Sequence, residues 1–364
     1  MEQIPCCLRH RSKVPSLIFS ITLFALSISF FAASDSAQVA PFAFPGHKPA
    51  DIPRAWIPLI GEYGPEQASL IVLEKSGQLE LRKNDGTEIK LQHAAAGTFT
   101  LSRPAGTPLP VYFGGELKGH AVSISLGDLT FPRRTLGPEE GQVFRIQPSS
   151  SIEDLRQEAL AASPPHEDGQ FRESDLIDLT SLDSNVHLDI RYATANDFLG
   201  SPVYTQARAF LQRPAADGLL RALLRLKPLG YALLIHDAYR PWYVTKIFWD
   251  ATPPEGKIFV ADPAQGSRHN RGCAVDLTLY ELKTGKPVQM PGTYDEMSPR
   301  SFPDYPGGTS LQRWHRDLLR WAMESEGFTV YEHEWWHFDF KDWHQYPILN
   351  VPFEKLQIGE KQVR

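Results

Sequence analysis

The sequence predicts an α+β protein in two parts. A small all-β domain spans residues 50–147, and a larger domain spans residues 176–352, where an antiparallel sheet is flanked by helices. Three observations lead to this reading. Between Trp56 and Ile146, short apolar runs alternate with turn residues. Beyond Leu176 the hydrophobic period switches between that of a strand and that of a helix. Between the two, composition shifts to Ser, Pro and acidic residues. A chain of 364 residues, 42% of them hydrophobic, is long enough to bury two cores.

Arg9, Arg11 and Lys13 precede an uncharged apolar run from Val14 to Ala33, the charge-then-apolar order of a secretory signal. Small residues at Ala32, Ala33, Ser34 and Ala37 offer cleavage sites and no basic cluster follows, so residues 1–37 read as a signal peptide and the mature protein as exported, periplasmic or secreted, without a membrane span. A membrane anchor is the alternative, because the run approaches the roughly 20 residues that cross a bilayer.

In the β domain, SLIVLE, QLELR and TEIKL are separated by Ser76-Gly77 and Asn84-Asp85-Gly86, the pattern of hairpins. TFTLS, VYF, HAVSISL and QVFRI continue at similar spacing. Its histidines and carboxylates lack metal-like spacing, so it reads as a structural or binding module whose partner the sequence does not name. Residues 148–175 read as a linker holding one short helix, IEDLRQEALAA, capped by the Ser149–Ser151 run and stopped before Pro164-Pro165.

In the larger domain LDIRYA is strand-like. Pro214 opens a helix with Leu219, Leu220, Leu223, Leu224 and Leu226 on one face, and Gly230 ends it. YALLIHDAY is a buried strand. Pro241 starts a helix carrying Val244, Ile247 and Phe248, and CAVDLTLY alternates. Leu311 to Glu326 is an amphipathic helix closed by Gly327, FTVYEHEWWHFDF is the last strand, and residues 353–364 form a tail.

Net charge of −6, from 37 basic and 43 acidic side chains, leaves no broad basic footprint for nucleic acid. Of three cysteines, Cys6 and Cys7 fall in the signal, so Cys273 stands alone and no disulfide framework exists.

Chemistry concentrates in two stretches. Ser267-Arg268-His269-Asn270-Arg271-Gly272 leads into a strand where Cys273, Val275, Leu277 and Leu279 share one face and Asp276 the other. Glu334-Trp335-Trp336-His337 supplies a carboxylate and an imidazole three residues apart. Strict alternation sends these two to opposite faces, so the strand is expected to break near Trp335 or Trp336. His269, Asp276 and His337 then make the three-ligand set of a catalytic zinc, one ion per chain, with the fourth position open. Glu334 is left as general base, and Arg240, at the corner Asp237-Ala238-Tyr239-Arg240-Pro241, as the cation for a developing oxyanion. His236 and Asp237, at a buried strand end, are candidates for orienting a ligand or Arg240.

SRHNRGCAVDLTLY, DAYRP and EWWH together resemble the VanX-type D-alanyl-D-alanine dipeptidases, a zinc D,D-peptidase family. LDIRYATANDFLG and GTYDEM extend the likeness over roughly residues 176–352. The resemblance implies zinc on His269, Asp276 and His337, the base on Glu334 and the YRP arginine on Arg240. It further implies that Asp295 and Tyr192 lie near a substrate ammonium and Ser267 near its carboxylate. The implied activity is hydrolysis of D-Ala-D-Ala, or of short D-amino-acid peptides, in cell-wall metabolism. Two alternatives are a zinc D,D- or L,D-carboxypeptidase acting on peptidoglycan stem peptides and a non-catalytic cell-wall binding protein. Retention of a general base argues against the binder. Cys273 reads as a core thiol, and His315, His333 and His344 as surface or packing residues.

Overall fold

The computed structural model describes residues 42–95, 98–102, 106–138 and 142–356. The segment read as a signal peptide, with Cys6 and Cys7, lies outside the described residues. No helix among the described residues is long and apolar enough to cross a membrane.

Eight strands follow one another as an antiparallel meander: β1 (Gly61–Tyr63), β2 (Leu70–Lys75), β3 (Gln78–Lys83), β4 (Glu88–Ala95), β5 (Thr98–Leu101), β6 (Leu109–Gly114), β7 (Ser123–Leu126) and β8 (Leu129–Pro132). Ser76 and Gly77, both at positive φ (52° and 79°), make the two-residue turn whose twist matches its flanking strands. Arg133, just past β8, bridges back to Tyr63 of β1, and its guanidinium donates to the Ile60 carbonyl and the Tyr63 hydroxyl. The sheet is thereby barrel-like, around a core of Tyr63, Val72, Leu79, Leu81, Phe99, Val111 and Ile124. QVFRI, expected as a strand, is irregular, and its Phe144 and Ile146 pack against the other core.

The second core forms around a five-stranded sheet in the order β10 (Val186–Leu188), β12 (Tyr231–Asp237), β13 (Ala274–Glu281), β15 (Glu334–Phe340), β14 (Phe328–Tyr331). A short antiparallel pair, β9 (Leu176–Asp178) and β11 (Phe210–Gln212), lies apart from it. The sheet is not wholly antiparallel as expected, since edge strand β10 runs parallel to β12. Helix α2 (Arg213–Leu226) lies in the crossover between them, the kind of connection a parallel pair requires. The run expected as one last strand is the hairpin β14–β15, turned at Glu332-His333, and LDIRYA leaves its strand after Leu188 for a 3₁₀ turn at Arg191–Ala193.

Helices α2 and α4 (Ser310–Glu324) pack on each other, and both pack on the sheet. The buried face of α2 is built from Ala215, Ala216, Leu219, Ala222, Leu223 and Leu226, whereas Leu224, expected inside, is 53% exposed. In the segment read as a linker, α1 (Ile152–Ala161) packs against α3 (Trp242–Ala251) and buries Leu155 and Ala159, so it belongs to this core rather than hanging free. Phe353, in the segment read as a tail, is likewise buried, against Tyr204, Phe210 and Tyr239.

The described residues between 42 and 356 belong to one compact unit. Two buried carboxylates of the β-sheet module bond to the larger domain or its neighbours. Glu62 accepts from the Tyr305 hydroxyl (3.0 Å) and from Arg134 (2.8 Å). Glu74 accepts from the Ser310 backbone N–H at the start of α4 (2.7 Å), placing a negative charge where that helix presents free amides.

Candidate active site

Register across three neighbouring strands assembles the site. Asp237 of β12 stands opposite Asp276 of β13, and Asp276 opposite His337 of β15. The irregularity expected near Trp335 and Trp336 is present. Val330 of β14 pairs with Phe338, but the next residue, Tyr331, pairs with Glu334, leaving Trp335, Trp336 and His337 without partners on β14. The slip brings Glu334 and His337 to one cavity, with Glu334 Oε2 3.8 Å from His337 Nδ1. His269 arrives on a 3₁₀ turn, His269–Arg271, closed by Gly272 at φ 66°. A Cβ on Gly272 would stand 2.6 Å from Leu176, so the turn requires glycine.

His269 Nε2, His337 Nδ1 and Asp276 Oδ1 converge: 3.0 Å separates the two nitrogens, and the carboxylate oxygen is 3.3 Å from His269 Nε2 and 3.0 Å from His337 Nδ1. The opposite ring nitrogens fix the tautomers. His269 Nδ1 donates to the Ala238 carbonyl (2.6 Å) and His337 Nε2 to Asp339 Oδ1 (2.9 Å). When both rings are neutral, as metal ligands are, the converging nitrogens present lone pairs that face a carboxylate. Three acceptors in that arrangement demand a positive centre. Burial works against a charged His337, but Asp339 and Asp276 lift its pKa well above the usual range. Burial alone would raise Asp276, but the two histidines hold it well below the usual carboxylate range. Two imidazoles and a carboxylate, each imidazole braced through its other nitrogen, fit a borderline cation such as zinc.

Arg240 donates to Asp237 through Nε (2.9 Å), with a terminal nitrogen 2.8 Å from the same Asp237 oxygen and 3.8 Å from Asp276. Asp237 also accepts from the Tyr204 hydroxyl (2.7 Å) and Ala238 N–H (2.9 Å), so it fixes the arginine, and its Oδ2 lies 3.7 Å from His269 Nδ1. Burial raises Glu334, His337 pulls it down and Asp276 adds to the rise, which leaves it at about 8. Tyr192 donates to Asp295 (2.9 Å), and Tyr294 bridges Tyr192 (2.9 Å) and Asp276 (3.2 Å). Asp295 sits at φ 60°, and its Oδ2 is buried without a hydrogen-bond partner. Burial and repulsion from Asp276 raise its pKa well above the usual range. Ser267 lines the cavity and its Oγ accepts from the His269 N–H (3.2 Å).

His236 lies elsewhere. Its ring stacks on Tyr294 (4.4 Å) and its Nδ1 faces the Asp189 carbonyl (3.3 Å), so it meets neither a ligand nor Arg240. The register shift between Ile235 and Asp237 falls at its position. Cys273 is fully buried, its thiol pushed up to about 12 by burial. Sequence reasoning overlooked Asp339, Tyr204 and Tyr294. Asp339 had a signal, since two residues beyond His337 on a strand is the same face; the tyrosines had none.

A family model described as D-ala-D-ala dipeptidase matches residues 172–356, half of the chain. The chain belongs to the M15 peptidase family. Relatives include the D-alanyl-D-alanine dipeptidase of Escherichia coli K12, 34% identical over 180 residues, covering 50% of this chain and 92% of that protein. Those of Enterococcus faecium (36% identity; 46% of this chain, 93% of the relative) and Enterococcus faecalis V583 (34%; 47% and 93%) are similar. This M15 chain is a metallopeptidase, and its β-sheet module lies outside the matched region.

Proposed function

We propose that this M15 peptidase hydrolyses D-Ala-D-Ala to two D-alanines, with one zinc per chain held by His269, Asp276 and His337. The observation that carries the reading is the convergence of three lone pairs beside the buried carboxyl of Glu334. A zinc ion in that set would supply Lewis acidity, polarising the scissile carbonyl, acidifying a water and drawing Glu334 toward the range of a working base. Glu334 takes the attacking water's proton and returns it to the leaving amine. Arg240, held rigid by Asp237, stabilises negative charge on the carbonyl oxygen as it develops. Asp295, with its unpaired Oδ2 and the Tyr192 hydroxyl on its other oxygen, receives the substrate ammonium, and Ser267 lies on the carboxylate side.

Size and charge favour the dipeptide over longer stem peptides. The cavity holds about 100 Å³, below the range of about 300–1,000 Å³ typical of ligand pockets. A peptide extended at its amino end would leave Asp295 facing no cation. The N-terminal apolar run supports an exported enzyme, periplasmic or secreted, acting on cell-wall-derived peptides. Amino-acid release from D-Ala-D-Ala, L-Ala-L-Ala and a stem pentapeptide, with and without chelator, tests the reading. The expected result is chelator-sensitive cleavage of D-Ala-D-Ala alone. Preferential cleavage of the pentapeptide would make the enzyme a carboxypeptidase, and chelator-resistant turnover would remove the metal.

A further inference from the structure

Two side-chain atoms lining the catalytic cavity are buried without a hydrogen-bond partner, and they are of opposite character. One is the acceptor Asp295 Oδ2, for which the substrate ammonium accounts. The other is a donor, Nε of Arg268, the residue between Ser267 and His269. Arg268 Nε lies 3.6 Å from Asp339 Oδ2, outside hydrogen-bonding distance, while the other oxygen of Asp339 is engaged by His337. The guanidinium carbon lies 4.8 Å from the centre of the Trp343 ring, and the side chain stays 43% exposed. Only one other arginine and no lysine line this cavity among the described residues. That arginine, Arg240, is already committed to Asp237.

A guanidinium set against an indole with N–H donors to spare suits a carboxylate, which it can grip through two parallel bonds. Stacking on an indole reduces the freedom the arginine loses on binding. We infer that Arg268 binds the C-terminal carboxylate of the substrate and, with Asp295, selects peptides that carry both free ends. Water attack and proton transfer stay with the groups already described, so Arg268 sets specificity and takes no part in bond cleavage. The inference rests on the peptidase reading and adds a binding residue to it.

The competing role is structural: Arg268 steadying Asp339 and, through it, His337. Substrate chemistry separates the two. Arg268→Ala and Arg268→Lys are compared with the native enzyme on D-Ala-D-Ala and on D-alanyl-D-alaninamide, which lacks the carboxylate, and zinc content is measured in parallel. Loss of a charge-assisted contact should raise KM for the free dipeptide about 10- to 100-fold in the alanine variant. The lysine variant should show a smaller rise, kcat should be nearly unchanged, and zinc content should be unaltered. On the amide the native and variant enzymes should perform alike. Equal losses on acid and amide, or a fall in zinc content, would overturn the inference in favour of the structural role, and an unchanged KM for the dipeptide would overturn it outright. Native enzyme that prefers a stem pentapeptide refutes the dipeptide reading separately. Those peptides also end in a free carboxylate, so the same acid and amide comparison on the pentapeptide still decides the role of Arg268.

Discussion

Asp295→Asn isolates the group that would recognise the amino end of the substrate. Asparagine keeps the volume and can still accept from the Tyr192 hydroxyl, which stands 2.9 Å from Oδ1, so the loop should hold its place. What disappears is the buried, unpartnered carboxylate oxygen Oδ2, which a substrate ammonium would hold in its charged form. A hydrogen bond to a charged partner contributes about 1.5–3 kcal/mol, and each 1.4 kcal/mol is about tenfold, so kcat/KM for D-Ala-D-Ala should fall by about 10- to 150-fold. N-acetyl-D-Ala-D-Ala removes the same interaction from the substrate side. It should be cleaved poorly by the native enzyme and no worse by the variant, because the two losses concern one contact. Amino-acid release kinetics on both substrates, with zinc content as control, complete the cycle. If native enzyme cleaves the acetylated dipeptide as fast as the free one, Asp295 does not read the amino end and the size-selection argument collapses.

Glu334→Gln should keep its metal and lose at least about 10²-fold in kcat, the low end for a general base, and full turnover would assign the proton transfer elsewhere. Asp339→Asn weakens the brace on His337 and should reduce zinc affinity by about 10- to 100-fold in a chelator competition; unchanged affinity would make Asp339 a bystander. His315, buried against Tyr231 and the Gln289 carbonyl, is pushed down to about 4 by burial. A histidine with an ordinary pKa near 6.5 when unfolded then takes up a proton that the fold refuses. Its contribution is full above pH about 6.5 and is lost as pH falls toward 4, by up to about 3 kcal/mol. Denaturant midpoints at pH 7 and 5 should draw closer together in His315→Gln, and parallel shifts in both proteins would place the acid sensitivity on other groups.

The convergence of the three candidate metal ligands was legible because chemistry restricts such residues. Few combinations of His269, Asp276 and His337 make sense outside a metal site, and the Glu334–His337 spacing conflicted with strand alternation strongly enough to force a bulge. What escaped was whatever depends on partners distant in sequence. Tyr294 and Tyr204 are ordinary aromatics until the fold sets their hydroxyls on Tyr192, Asp276 and Asp237. His236 had the profile of a group supporting the site, but a local register shift turns it to Asp189 and Tyr294. The β14–β15 turn at Glu332-His333 contains neither glycine nor asparagine, so a hairpin looked like one long strand. The direction of β10 follows from the crossover through α2, which its three residues do not encode. Leu224 matched a helical leucine stripe, yet alanines supply much of the close packing on α2.

The carboxylate of Glu74 at the start of α4 bears on where this protein can be cut. Relatives that match over 92–93% of their own length correspond to only half of this chain, which invites expressing residues 172–356 alone. That boundary would strip the Ser310 amide of an acceptor at 2.7 Å and expose the Tyr305 hydroxyl that Glu62 now satisfies. Tyr305 and Arg300, which donates to the Pro138 carbonyl (3.1 Å), lie on the same stretch of chain as Asp295. An excised catalytic half should therefore carry a loosened loop at Asp295 even if His269, Asp276 and His337 stayed in register. The β-sheet module thus braces the stretch of chain that carries Asp295, and a truncation that keeps this brace starts ahead of it, near residue 42.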